Sequence, residues 1–165
     1  MKRRILGIDP GFALVGFGVI DEDCGNLSAV DYGVISTTKD ENFTLRLQKI
    51  YDGIILLIDR FKPDAIAVEE LFFFKNQTTV IPVAEARGVI VLAGRQKNVK
   101  MFEYTPLQIK QALTGNGRAE KKQIQYMVKN ILGLVEVPKP DDVADAIAVA
   151  LTHLQTNNVL CDNSI

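Results

Sequence analysis

Cysteine and histidine are scarce in this chain. Its two cysteines, Cys24 and Cys161, stand far apart, and His153 is the single histidine. That excludes a disulfide framework, leaves no Cys/His metal spacing, and predicts a reduced intracellular protein. Long apolar runs are lacking too: the stretch IILLIDRF meets charge well short of the ~20 residues that a membrane helix needs. In the opening MKRRILGIDPGFALVGFGVI, basic residues precede apolar ones. Asp9-Pro10-Gly11 interrupts the apolar part and no small-residue cleavage pattern follows, so no signal peptide is predicted. Repeats, low-complexity tracts and Ser/Gly linkers are absent as well. What remains is a soluble, cytoplasmic chain with no membrane partner. With 47% hydrophobic residues in 165, the expectation is one domain over 1–156 followed by a polar, partly disordered tail at 157–165.

An excess of either charge is also missing, since the net charge is −1. Its distribution is uneven. Between Arg95 and Lys129 eight basic residues face only Glu103 and Glu120, a local balance of +6 that leaves −7 on the remainder. Such asymmetry is what a phosphate-binding face requires, although solvated helix faces also collect lysines.

The segments RRILGID, GFGVID and LSAVDYGVIST read as three strands separated by turn residues, hence an antiparallel meander. Apolar residues then recur at helical period at Leu45, Leu47, Ile50, Ile54, Leu57, Ile58 and Phe61, and Lys62-Pro63-Asp64 ends that helix. AIAVEE reads as a buried strand. The helix VIPVAEARGVIVLAGRQK is apolar on most sides, so one face packs on the sheet and the other invites a second subunit. Pro82 fits it only in a first turn. VKMFEYT is a fifth strand; LQIKQALTG, AEKKQIQYMVKNILG and the segment after Pro140 follow as helices. Strands that return after helix crossovers lie parallel to their neighbours. The fold class is therefore α/β, a mixed five-stranded sheet with helices on both faces.

Four acids share one placement. Asp9 ends ILGI, Glu69 ends AIAV, and Asp142 and Asp145 open the most apolar helix. Each has a plain structural alternative: Asp9 as a turn residue before Pro-Gly, Glu69 as an exposed strand end, Asp142 and Asp145 as helix caps. No basic residue stands close in sequence to neutralise Asp9 or Glu69, and converging carboxylates repel unless cations lie between them. Oxygen ligands without His or Cys suit Mg²⁺ or Mn²⁺. Two such ions about 4 Å apart activate water against a phosphodiester and stabilise its leaving oxygen. His153 lies beyond reach of this set and reads as a helix-end residue near the last carbonyls, while Asp141 reads as a cap.

The pieces ILGIDPG, GFGVI, AVEELFFFKN, EARG, EYTPLQIKQALTGNGRAEKKQIQYMV and DDVADAIAVALTH occur in this order over residues 5 to 153. Together they resemble the RuvC family of Holliday-junction resolvases, which are ribonuclease-H-like nucleases. The resemblance implies a crossover junction endodeoxyribonuclease with Asp9, Glu69, Asp142 and Asp145 as catalytic and metal-binding acids, and Asp9 as the bridge between two Mg²⁺ ions. It implies Lys110 and Lys121 near the scissile phosphate and Phe72 at the junction centre. Lys75, Asn76, Arg118 and Lys122 complete the expected DNA contacts. It further implies a homodimer acting on four-way junction DNA, ligatable 5′-phosphate and 3′-hydroxyl ends, and a branch-migration motor as partner. Two departures, Glu85 before ARG and Pro82, bear on the dimer. GIDPG also suits a nucleotide-binding domain of actin-like kinases, but no second phosphate loop accompanies it. A catalytically inactive junction-binding module is the other alternative, and it gains nothing from four acids near phosphate.

Overall fold

Alternation along two short strands decides which side chains meet. The computed structural model describes residues 2–71, 77–156 and 164–165, with backbone only at 77–79. In β1 (Arg3–Asp9), Leu6 and Ile8 enter one core while Ile5 points to the other; in β4 (Ala65–Glu69), Ile66 and Val68 oppose Ala65 and Ala67 in the same way. With a side-chain period of two, Asp9 and Glu69 fall on the Ile5/Ala65 face.

The other elements are β2 (Leu14–Asp23), β3 (Asn26–Ser36), α1 (Phe43–Phe61), α2 (Gln77–Gln96), β5 (Lys100–Tyr104), α3 (Pro106–Thr114), α4 (Lys121–Ile131) and α5 (Asp141–Thr156). The sheet order is β3-β2-β1-β4-β5. β1, β2 and β3 pair antiparallel, whereas β1–β4 and β4–β5 are parallel. This is the mixed sheet expected, with β2 beginning two residues earlier than GFGVID suggests. One layer holds α1 and α2 against Leu6, Ile8, Ile66 and Val68; the opposite layer holds α3, α4 and α5.

α5 is the central helix of its layer. Its Val143, Ala144 and every residue from Ala146 to Leu154 are buried. Truncating one of the large ones, Ile147 or Leu151, should cost about 2–5 kcal/mol. The alanines let the helix approach, and glycines on the strands complete the fit. A Cβ on Gly7 would lie 2.1 Å from the Ala146 carbonyl oxygen, and one on Gly16 would lie 2.0 Å from that of Asp142. Only a residue without Cβ allows such contact.

Local signals set the other helix ends. α1 stops where Lys62 turns left-handed at φ 48° and its N–H bonds the Ile58 carbonyl. Thr105 and Gln108 cap α3 reciprocally, and Pro106 occupies the first turn, where its missing N–H costs nothing. α2 departs from expectation. It begins at Gln77 rather than Val80, so Pro82 sits inside the second turn and removes one intrahelical hydrogen bond. The tail at 157–163 lies outside the described residues, but Ser164 pairs with Phe102 and the Ile165 N–H bonds Met101 at 3.1 Å. The chain's last residues thus lie along the β5 edge.

Candidate active site

β1 and β4 run parallel with Ile8 opposite Val68, so the next residue on each strand, Asp9 and Glu69, stand side by side. Adjacent strands lie about 4.8 Å apart, close enough for two carboxyl groups to share a proton. Glu69 and Asp9 do hydrogen-bond each other.

α5 delivers the other two acids. Asp9 pairs across the sheet with Gly16, and the Asp142 backbone rests on Gly16. Asp142 therefore enters the helix at the mouth of β1, and Asp145 follows one turn later. Burial pushes the Asp9 carboxyl up to about 8, with Glu69, Asp145 and Asp142 adding repulsion and Lys121 opposing it. Burial also raises Glu69 to about 7, helped by Asp145 and opposed by Lys121, Asp9 and Lys110. Asp145 is raised by burial as well, against its bond to Lys121. Four acids thus converge at the ends of three elements without enough positive charge to keep them all ionised.

The lysines arrive from the α3–α4 segment. Lys121, the first residue of α4, places its Nζ 2.9 Å from Asp145 Oδ2 and 3.6 Å from Asp141 Oδ2. Burial works against its charge, but Asp145, Asp141 and Asp9 outweigh it and raise its pKa. Lys110 on α3 is near enough to favour the ionised form of Glu69. The structure therefore gathers six sequence-predicted residues: Asp9, Glu69, Asp142, Asp145, Lys110 and Lys121. Arg118 and Lys122 are exposed on the same segment. Phe72, Lys75 and Asn76 lie outside the described residues.

Two expectations are corrected and one is sharpened. His153 lies in the last turn of α5, as expected, but as a core residue: it is 1% exposed, with Nδ1 2.8 Å from the Tyr104 hydroxyl and its ring 4.5 Å from that of Phe102. Burial lowers its pKa to about 4, so it stays neutral in the core. Asp141 makes side-chain contacts rather than acting as a cap alone: its Oδ1 accepts from Gln125 Nε2 at 3.0 Å and Lys139 Nζ at 3.1 Å. The basic run does not form one face, because β5 carries the chain from one layer to the other. Lys97 stays on the α1/α2 side and pairs with Asp59 at 2.7 Å, while Lys110, Arg118, Lys121 and Lys122 flank the acids.

Some features had no reading in the sequence. Gly7 and Gly16 set the depth of α5, and their signal was a pair of glycines on strands facing an alanine-rich helix. A cavity of about 490 Å³ opens beside Asp142, walled by Phe12, Leu14, Pro82 and Val83 and bordered by Lys39 and Arg46. Arg46 bonds Thr37 Oγ1 and stacks 3.7 Å over the Phe12 ring, contacts between residues far apart in the chain.

The donor set fits a hard divalent cation. All its ligands are carboxylates, and without a cation burial and mutual repulsion favour a proton on Asp9 at neutral pH, the place a Mg²⁺ or Mn²⁺ ion would take. Among the described residues no three acids are drawn into a closed ligand cage. Asp9 and Glu69 are turned on each other, and Lys121 holds Asp145.

The description "Crossover junction endodeoxyribonuclease RuvC" belongs to the family model that matches residues 5–153. A curated protein of that name from Fusobacterium nucleatum is 56% identical over 153 residues, spanning 93% of this chain and 80% of its own. One from Caldicellulosiruptor saccharolyticus is 51% identical over 94% of both chains. Among solved structures, Thermus thermophilus RuvC in complex with a Holliday junction superposes with a TM-score of 0.93 at 34% identity, covering 99% of each chain. The yeast mitochondrial resolvase Ydc2, at 13% identity and a TM-score of 0.68, shares the fold. A match over nearly the whole length, at identities that leave no room for a change of fold, places the chain in the RuvC family of crossover junction endodeoxyribonucleases.

Proposed function

We propose that this chain resolves four-way DNA junctions, with Asp9, Glu69, Asp142 and Asp145 holding the divalent cations that hydrolysis requires. The carrying observation is the register of β1 on β4, which sets Asp9 beside Glu69 under the first turn of α5. Two Mg²⁺ ions, for which Mn²⁺ can substitute, would supply an activated water and charge neutralisation at the leaving oxygen. Asp9, which interacts with each of the other three acids, would help to hold either ion. Lys110 and Lys121 stand beside the acids, where their charge stabilises a phosphate whose negative charge grows in the transition state. The water oxygen bonds to phosphorus, the bond to the 3′ oxygen breaks, and that oxygen takes a proton. A 5′-phosphate and a ligatable 3′-hydroxyl result.

Arg118 and Lys122 serve as phosphate anchors, and Phe72, Lys75 and Asn76 as contacts at the junction centre. Resolution needs two cuts, hence two copies of the chain. α2 supports a homodimer: Ile81, Ala84, Glu85, Gly88 and Leu92 lie on one exposed stripe, with Ile81 66% and Leu92 52% exposed. A Cβ on Gly88 would meet nothing within its own subunit, so the open strip allows a second backbone close approach. A branch-migration motor that delivers junctions is the further partner, and the cytoplasm the place of action. No described helix is long and apolar enough to cross a membrane.

The test is cleavage of a synthetic four-way junction by the wild type and by Asp9→Asn, Glu69→Gln and Asp145→Asn. Each variant should lose cleavage by at least about a hundredfold while retaining junction binding. Normal cutting by Asp145→Asn would remove α5 from the metal site.

A further inference from the structure

Lys121 is shared between two carboxylates of unequal status. Asp145 belongs to the candidate metal site, and its Oδ2 is 2.9 Å from Lys121 Nζ. Asp141 stands outside that site, one residue before Asp142, and its Oδ2 is 3.6 Å from the same nitrogen. The two oxygens of Asp141 have different roles. Gln125 Nε2 at 3.0 Å and Lys139 Nζ at 3.1 Å both bond Oδ1, which fixes the carboxylate and leaves Oδ2 turned towards Lys121. Gln125 is one turn along α4 from Lys121, so the same helix presents the ammonium and orients its second acceptor.

A divalent cation bound at Asp145 and an ammonium on the same carboxylate repel each other. Lys121 must then give up Asp145, and its half-exposed ammonium stays paired at the rim only where a second carboxylate stands within reach. Asp141 lies within a small side-chain rotation of it. We propose that Asp141 is a positioning residue: in the cation-free protein Lys121 occupies Asp145 as a stand-in for the metal, and on metal binding it transfers to Asp141 Oδ2. There the ammonium waits at the rim of the site for the scissile phosphate. This rests on the metal reading above, and it adds a built-in competition between lysine and metal, with Asp141 lowering the cost of exchange.

The test is Mn²⁺ binding to the DNA-free full chain, followed by the electron paramagnetic resonance signal of free Mn²⁺. Lys121→Met should tighten binding by about threefold or more, the scale of one partly exposed ion pair. Lys121→Arg, which keeps the pair, should stay near wild type. Asp141→Asn should weaken binding by about two- to threefold in the wild-type background and leave it unchanged in the Lys121→Met background. An Asp141→Asn effect equal in both backgrounds would mean direct attraction between Asp141 and the ion, and would overturn the transfer. So would Mn²⁺ binding insensitive to Lys121→Met. Absence of Mn²⁺ binding to wild type would overturn the metal reading itself, and the transfer with it.

Discussion

Raising the pH of the cation-free protein from 6 to 8 should destabilise it, and Mg²⁺ should reverse the loss. Asp9, raised to about 8, keeps in the folded state a proton that an unfolded aspartate, with a pKa near 4, has already released. Between those values the folded state binds more protons, so stability falls as pH rises. A single retained proton is worth about 1.4 kcal/mol per pH unit, tapering near pH 8, or about 2 kcal/mol across the interval. For a domain of this size that is a melting temperature lower by about 4–8 °C. Glu69, raised to about 7, acts in the same direction over the lower part of the interval. His153 acts the other way: its folded pKa of about 4 lies below the unfolded value of ~6.5, so its contribution grows as pH rises between the two and is complete above them. Comparing wild type with Asp9→Asn/Glu69→Gln cancels His153. The assay is a thermal melt of both proteins at pH 6, 7 and 8, with EDTA and with Mg²⁺. Wild type should slope downwards in EDTA, the double variant should not, and Mg²⁺ should raise wild type most at pH 8, by about 2.7 kcal/mol at one hundred times its Kd. Equal slopes in both proteins would refute the reasoning.

Further outcomes follow from other elements. Gly16→Ala places a Cβ 2.0 Å from the Asp142 carbonyl oxygen, so α5 must lift; junction cleavage should fall at least about tenfold, consistent with misplaced catalytic groups, while circular dichroism stays near native. Leu92→Glu puts a charge on the exposed α2 stripe and should convert a dimer to monomers in multi-angle light scattering; an unchanged mass would move the interface elsewhere. Tyr104→Phe removes the hydroxyl that meets His153 Nδ1 at 2.8 Å and should cost about 1–3 kcal/mol in urea unfolding, with the metal affinity unaltered.

The sequence was most legible where local chemistry and packing agree. Short apolar runs in ILGI and AIAV marked buried strands, and Lys62-Pro63 closed α1, because each of these signals acts within a few residues. The four acids stood out because each ends or begins an apolar element. Several features depend on residues distant in the chain and left little local trace. The partner of His153 is Tyr104, on a strand that only folding brings alongside. Asp141 looked like a cap because Gln125 lies 16 residues away on another helix. The basic run looked continuous because nothing in its composition marks β5 as the point where the chain changes layers. Pro82 escaped its assigned first turn because the helix signal before Val80, Gln-Thr-Thr, is weak in propensity.

The central claim is that the carboxylates on β1, β4 and α5 form a metal-dependent junction nuclease. Its most direct test is cleavage of a synthetic four-way junction, and of a linear duplex of the same sequence, with Mg²⁺ and with EDTA. Paired cuts in the junction with Mg²⁺, none with EDTA and none in the duplex is the result predicted. Cleavage that persists in EDTA, or that treats duplex and junction alike, would contradict it.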